Sequence, residues 1–245
     1  MKTAFITGAN KGIGFETAKQ LLEKGFFVFL GSRSIDNGLK AVEKLKSGGL
    51  IHVEAIQIDV TDEKSVKNAR AEIGKKTNVL DVLINNAGIN GGAPYTALEA
   101  NREQFLSTFH TNVFGVASVT QAFIDLLYKS TAPRIVNVST SVGSLALQSD
   151  PGWMGYDFAK YAVYGASKAA LNMFTIHLAY ELRDTPFKVN AVCPGYTKTD
   201  FTGHNGGEIE DAGKRIVSYA LLDNDGVTGK FISEETNPST GEIPW

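Results

Sequence analysis

Tyr164 and Lys168 stand four residues apart in the run Tyr164-Gly165-Ala166-Ser167-Lys168. On a helix, positions i and i+4 share a face, so the ammonium sits beside the phenol and favours its ionised form. Such a phenol can trade a proton with a bound molecule. An isolated phenol has a pKa of about 10, and bringing it to about 7 takes roughly 4 kcal/mol, more than one exposed charge supplies. A second cation close by therefore belongs to the expectation. The same types recur in Tyr156-Asp157-Phe158-Ala159-Lys160, but Pro151, Gly152 and Gly155 disfavour a settled helix there. Tyr164 instead heads the stripe Leu171, Phe174, Leu178 and Leu182, whose helical spacing turns the pair inward.

A second constellation is Thr7-Gly8-Ala9-Asn10-Lys11-Gly12-Ile13-Gly14, set between an apolar run and an amphipathic stretch over 15–23. Glycines there let backbone approach a pyrophosphate, and the helix N-terminus offers free N–H groups and the positive end of its dipole. This is the context of a dinucleotide site, although the spacing G-x-x-x-G-x-G departs from the usual G-x-G-x-x-G.

Positioning these groups requires a scaffold, and the pattern supplies one. Short apolar runs at 3–7, 26–31, 53–58, 79–85, 134–139, 189–193 and 230–233 alternate with longer amphipathic stretches such as Val116, Val119, Phe123 and Leu126. That alternation predicts a single-domain α/β fold over 1–245, a doubly wound Rossmann-type parallel sheet of about seven strands with helices on both faces. In such a sheet, ligands lie beyond the carboxyl ends of the strands.

The chain has 245 residues, 43% apolar and 20% charged, with a formal charge of −2. Signs are mixed, so no field concentrates nucleic acid or an anionic membrane, and neither is expected as a partner. No segment has the length and apolarity of a signal peptide or a membrane span. Cys193 is the only cysteine, which excludes an internal disulfide and a cysteine-rich metal site. His52, His110, His177 and His204 are scattered, so no metal is expected. The default location is the cytoplasm.

At this point the sequence resembles the short-chain dehydrogenase/reductase family, over nearly its whole length. The carriers are the glycine turn, Asp59-Val60, Asn85-Asn86-Ala87-Gly88, Asn112 in His110-Thr111-Asn112-Val113, the Tyr164 and Lys168 pair, and Pro194-Gly195-Tyr196-Thr197-Lys198-Thr199, in that order. The tail Gly226-Val227-Thr228-Gly229-Lys230-Phe231 and the ending Ile243-Pro244-Trp245 are similar to the carbonyl reductases. The resemblance implies a small carbonyl substrate, with Tyr164 as proton donor, Lys168 tuning it and holding the nicotinamide ribose, and Asn112 binding a water that links the lysine to solvent. Its carbonyl-orienting serine, three residues before Gly143, falls on Thr140. A threonine hydroxyl makes the same hydrogen bonds with less room beside it. Ser139 and Ser141 flank it, and strand alternation sends them to the other face unless the backbone bulges.

The cofactor site implied by the resemblance comprises Gly8, Asn10, Lys11, Gly12, Ile13 and Gly14 in the glycine turn, Asp59 and Val60 at the adenine, and Asn86, Ala87 and Gly88 at the adenine-side ribose. Pro194, Gly195, Thr197 and Thr199 complete it at the carboxamide and phosphate. An acidic residue at the end of the second strand would bind the ribose hydroxyls of NAD. Here stands Arg33, a planar donor fork suited to a 2′-phosphate, and Lys11 adds a second charge, so NADP(H) is expected. Asp36 is the competing group, set further out.

Leu145, Leu147, Tyr196 and Trp245 are candidates for an apolar substrate wall. Residues 148–162 read as an insertion ahead of the catalytic helix, and 197–213 as a mobile substrate loop. An NADPH-dependent carbonyl reductase is the leading reading. An NAD-linked secondary-alcohol dehydrogenase and a catalytically silent dinucleotide-binding sensor or scaffold are the alternatives. The substrate itself, the stereochemical outcome and the number of subunits are not legible, and a homo-oligomer stays open.

Overall fold

A computed structural model describes all residues, 1–245. Seven strands form one sheet in the order β3-β2-β1-β4-β5-β6-β7, every pair parallel. They are β1 Thr3–Ile6, β2 Phe27–Ser32, β3 Val53–Gln57, β4 Val82–Asn85, β5 Arg134–Val138, β6 Lys188–Val192 and β7 Phe231–Ile232. The expected doubly wound sheet is present. The fourth strand begins three residues later than its apolar run, because Asp81 ends the preceding turn by accepting from Thr3 N at 2.8 Å and Ser130 Oγ at 2.7 Å.

Period-two alternation decides the two faces. Ala4, Ile6, Val28 and Leu30 pack with Leu21, Val42, Leu45 and Ile216, under α1 Gly12–Glu23, α2 Ile35–Ser47 and α8 Ile209–Ala220. Phe5, Phe29, Leu83 and Ile135 face the other way, against Ile73, Phe123 and Leu182. The first two belong to α3 Glu63–Lys76 and α5 Gly115–Leu127, and Leu182 caps the end of α7 Ala162–Glu181. The Val116, Val119, Phe123 and Leu126 stripe is buried as its spacing predicts. The remaining helices, α4 Arg102–Phe109 and α6 Leu145–Ser149, flank the carboxyl ends of the strands. No helix is long and apolar enough to cross a membrane.

A chain of buried amides and hydroxyls fixes α7 on the sheet. Asn85 Nδ2 donates to Asn137 Oδ1 at 2.9 Å, and Asn137 Nδ2 donates to Thr175 Oγ1 at 2.9 Å. Ser139 Oγ donates to Asn172 Oδ1 at 2.7 Å, while Asn172 Nδ2 donates to Gly143 O at 3.2 Å. Directional bonds inside a low-dielectric core specify a register that apolar packing alone leaves soft.

Candidate active site

The glycine turn is folded tightly against the end of β4. Gly8 has φ +64°, and a Cβ on it would lie 3.0 Å from Ala87 Cα; one on Gly14 would lie 2.4 Å from Asn86 Nδ2. Asn86 explains the closeness: its Nδ2 donates to Thr7 O at 2.9 Å and Gly8 O at 3.1 Å. Thr7 Oγ1 in turn accepts from Asn86 N and Ala87 N, each at 3.1 Å. Asn86 is thus committed to holding the turn. Helix α1 starts beyond it with no side-chain cap and no acidic residue in its first turn. Its first N–H groups remain as donors aimed at whatever lies over the turn, the arrangement that accepts a phosphate. A dinucleotide pyrophosphate fits this cradle on geometry alone.

Where the adenine is expected, Asp59 Oδ1 accepts from Thr61 N at 2.9 Å and Thr61 Oγ1 at 2.7 Å, which leaves its second oxygen without a partner in the protein. Burial works against its ionisation, yet the two Thr61 bonds and the charge of Arg33 outweigh burial and hold the carboxyl below the usual carboxylate range. Val60 packs where a Cβ on Gly115 would lie 2.9 Å from its Cγ2. Arg33 is exposed just beyond β2. Lys11 is also exposed but already has a partner: its Nζ donates to Asp200 Oδ2 at 2.6 Å. A groove of about 910 Å³ is bordered by Asn10, Lys11 and Gly12 and by residues of α1 and α2, and Tyr164 does not border it.

The second half of the site is assembled by α7. Tyr164 is its third residue and Lys168 lies one turn on. Lys168 is only 4% exposed and its Nζ donates to Val138 O at 2.7 Å, the last residue of β5. A Cβ on Gly143 would lie 2.8 Å from Lys168 Cβ, so the helix rests directly on the 3-10 turn Ser141–Gly143. Thr140 opens that turn, and its Oγ1 accepts from Val142 N at 3.3 Å. Ser139 faces Asn172 and is spent there.

Gly88 joins the two halves, since a Cβ on it would lie 3.3 Å from Asn112 Oδ1 and 3.7 Å from Lys168 Nζ. Asn112 is fully buried in a π-helical turn, His110–Phe114, between α4 and α5. Its Oδ1 accepts from Ile89 N at 2.9 Å, and its Nδ2 donates to Ile89 O at 2.8 Å and Ser167 Oγ at 3.0 Å. Both donors of the amide are therefore used within the protein.

One expectation is corrected. The chain's own groups do not acidify Tyr164: burial first, and then the charge of the neighbouring Cys193, push the phenol above its ordinary range. Burial likewise pulls Lys168 down to about 8. Desolvation outweighs the helical pairing because Lys168 is buried, Tyr164 is half-buried, and the ammonium, bonded to Val138 O, lies 5.8 Å from the phenol ring centroid. Cys193, read from sequence as a small buried hydrophobe, is buried and also adjoins the pair.

The other Tyr-x-x-x-Lys string lies outside any helix, with Lys160 Nζ donating to Gln148 O at 2.8 Å and stacked 3.8 Å over the Tyr156 ring. Of the proposed apolar wall, Leu145 and Tyr196 are 70% and 56% exposed. Leu147 and Trp245 pack on a small cluster of Ala191, Phe231 and Ile243, with Trp245 stacked on Phe231 at 5.3 Å. Pro194 O accepts from Arg215 Nη1 at 2.7 Å. Gly195, at φ +90°, turns the chain where a Cβ would strike that arginine, leading to buried Thr197 and then Thr199.

Sequence reasoning missed Asp200 and Phe201, which form a 3-10 turn Asp200–Thr202. The Phe201 ring lies 5.3 Å from that of Tyr164. Their position in the expected substrate loop was the only signal, since the Lys11 pairing spans 189 residues.

A family model described as short chain dehydrogenase matches residues 2–209. Salutaridine reductase of Papaver bracteatum is 33% identical, over 94% of this chain and 94% of its own length. That alignment spans 297 positions against 245 residues here, so the relative carries segments that this chain lacks. (+)-Neomenthol dehydrogenase of Capsicum annuum is 32% identical, over 93% and 94% of the two chains. Among solved structures, NADPH-bound carbonyl reductase from chicken fatty liver superimposes with a TM-score of 0.84 at 26% identity, covering 100% of this chain and 99% of that one.

Proposed function

This chain belongs to the short-chain dehydrogenase family, and on that premise we propose that it is an NADPH-dependent carbonyl reductase acting on a ketone or aldehyde, with Tyr164 as proton donor. The observation that carries the reading is the convergence of Tyr164, Lys168 and Thr140 through the Gly143 contact, beyond β5 and joined through Gly88 to a phosphate-accepting glycine turn. Lys11 and Arg33, with no acidic side chain at the end of β2, support NADP(H) over NAD. A reduced nicotinamide bound there supplies the hydride.

The protein's residues do the rest. Thr140 Oγ1 accepts from Val142 N, which leaves its own proton to donate to a carbonyl oxygen and orient it. Burial keeps the Tyr164 phenol protonated through the neutral range, so the proton is present to be donated, although the same burial makes the phenol a weaker acid until a positive charge stands beside it. Once the proton has left, the phenolate shares a helix face with Lys168, whose ammonium offsets the new charge. Asn112 and Ser167 brace that helix turn: Ser167 Oγ donates to Tyr164 O at 2.7 Å.

The test is absorbance at 340 nm with NADPH or NADH over a panel of ketones, aldehydes and alcohols. Tyr164→Phe should lose about a hundred- to ten-thousandfold in kcat while still binding dinucleotide. Turnover kept in that variant refutes the proton-donor role, and equal turnover with NADH refutes the reading of Lys11 and Arg33.

A further inference from the structure

The segment between β6 and α8 is closed on itself. Gly207 N donates to Tyr196 O at 2.7 Å, Lys198 N to Gly207 O at 3.0 Å, and His204 N to Thr199 O at 2.8 Å. Thr202 Oγ1 adds a bond to Asn205 O at 2.8 Å. A turn bonded this way moves as one piece, and its tip touches two distant parts of the site. Asp200 accepts from Lys11 in the glycine turn, and Phe201 lies against the Tyr164 ring. Between them, the Thr199 methyl comes to 3.9 Å from where a Cβ on Gly12 would stand. His204 Nε2, 3.4 Å from Asp200 Oδ1, is the other basic group facing that carboxylate.

Neither anchor is strong alone. Both partners of the ion pair are largely exposed, at 70% and 62%, and Phe201 keeps 42% of its surface open. A weak ion pair is readily exchanged for a better anion, and a phosphate dianion competes for an ammonium more strongly than one carboxylate does. Because the tip is a single body, releasing one anchor loosens the other.

We propose that the 196–207 turn is a strap in which Asp200 and Phe201 are specificity-determining residues: a phosphate on the adenosine ribose draws Lys11 from Asp200 and so loosens the hold of Phe201 on Tyr164. A dinucleotide without that phosphate leaves the strap in place. The inference rests on the reading of Lys11 and Arg33 given above, and it makes recognition at one end of the cofactor govern access at the other. By linkage, the factor by which the bound ribose phosphate weakens the Phe201 contact is the factor by which that contact weakens binding of the phosphate.

The experiment is calorimetric titration of the full chain with adenosine 2′,5′-bisphosphate and with adenosine 5′-monophosphate, for the parent, Phe201→Ala and Asp200→Asn. Phe201→Ala should tighten the bisphosphate about two- to threefold relative to the monophosphate, although it removes no charge. Asp200→Asn should raise the same ratio. Both residues are exposed, and melting temperatures near the parent's confirm that the variants fold. If both fragments bind and Phe201→Ala leaves the ratio unchanged, the strap is refuted and the dinucleotide site stands. If neither fragment binds, the cofactor reading fails and the strap falls with it.

Discussion

Gly143→Ala tests whether helix placement, and not the identity of the catalytic groups, limits the chemistry. The new Cβ would lie 2.8 Å from Lys168 Cβ, 2.9 Å from Lys168 C and 3.2 Å from Ala169 N. Ordinary van der Waals contact starts near 3.4 Å, so α7 must retreat from the Thr140 turn by at least about 0.6 Å. Helix backbone cannot yield locally as a side-chain tip can. Overpacking of this kind costs roughly 1–3 kcal/mol of stability. The catalytic effect is larger in proportion, because a shift of about 1 Å in reacting groups costs on the order of a hundredfold. The expected loss in kcat is therefore between about tenfold and a hundredfold, with a smaller loss of dinucleotide affinity, since the glycine turn touches Asn86 and Ala87 and not Gly143, and of the dinucleotide contacts only that of Lys168 is displaced. Steady-state NADPH oxidation at 340 nm, paired with thermal melts and dinucleotide titration, separates the effects. A variant that keeps kcat within threefold of the parent refutes the claim that this contact sets the Tyr164 and Thr140 geometry.

Lys168 supplies a pH prediction. Its pKa falls from the ordinary 10.5 to about 8 through burial, so between those values the unfolded chain holds a proton that the folded one does not. Stability must rise with pH across that window, by about 2 kcal/mol from pH 8 to about 9.5, and below pH 8 the full cost of the buried charge is present. Above about pH 10, Tyr164 acts in the opposite sense, because its raised pKa favours the unfolded phenolate. Denaturant midpoints at several pH values should show the rise in the parent and not in Lys168→Met, and parallel profiles would contradict it. Arg33→Ala should raise KM for NADPH by roughly tenfold or more and leave KM for NADH alone, because one charge-assisted contact to phosphate is lost. Equal effects on both cofactors would place Arg33 outside the phosphate site.

How much was legible in the sequence follows from the range of each signal. The seven strands and their alternation with helices are local, because apolar period and turn chemistry act within a few residues; the stripe of α7 located its inner face only approximately, since Lys168, Leu171, Asn172, Thr175 and Ala179 are buried while Phe174 and Leu178 are half-buried. The glycine turn and the Tyr164–Lys168 spacing are equally local, and the break at Pro151–Gly155 sufficed to separate Tyr164 from the duplicate at Tyr156. Strand order, the resting of α7 on Gly143, and the roles taken by Asn86, Asn112 and Asn172 were decided only in three dimensions. Each depends on partners far along the chain, as with Asn86 and Thr7, 79 residues apart. The protonation of Tyr164 was decided there too: spacing reveals which charge stands beside the phenol, but burial, the larger influence, exists only after the core has closed. The same holds for Lys11, an open cation in the sequence that the fold delivers to Asp200.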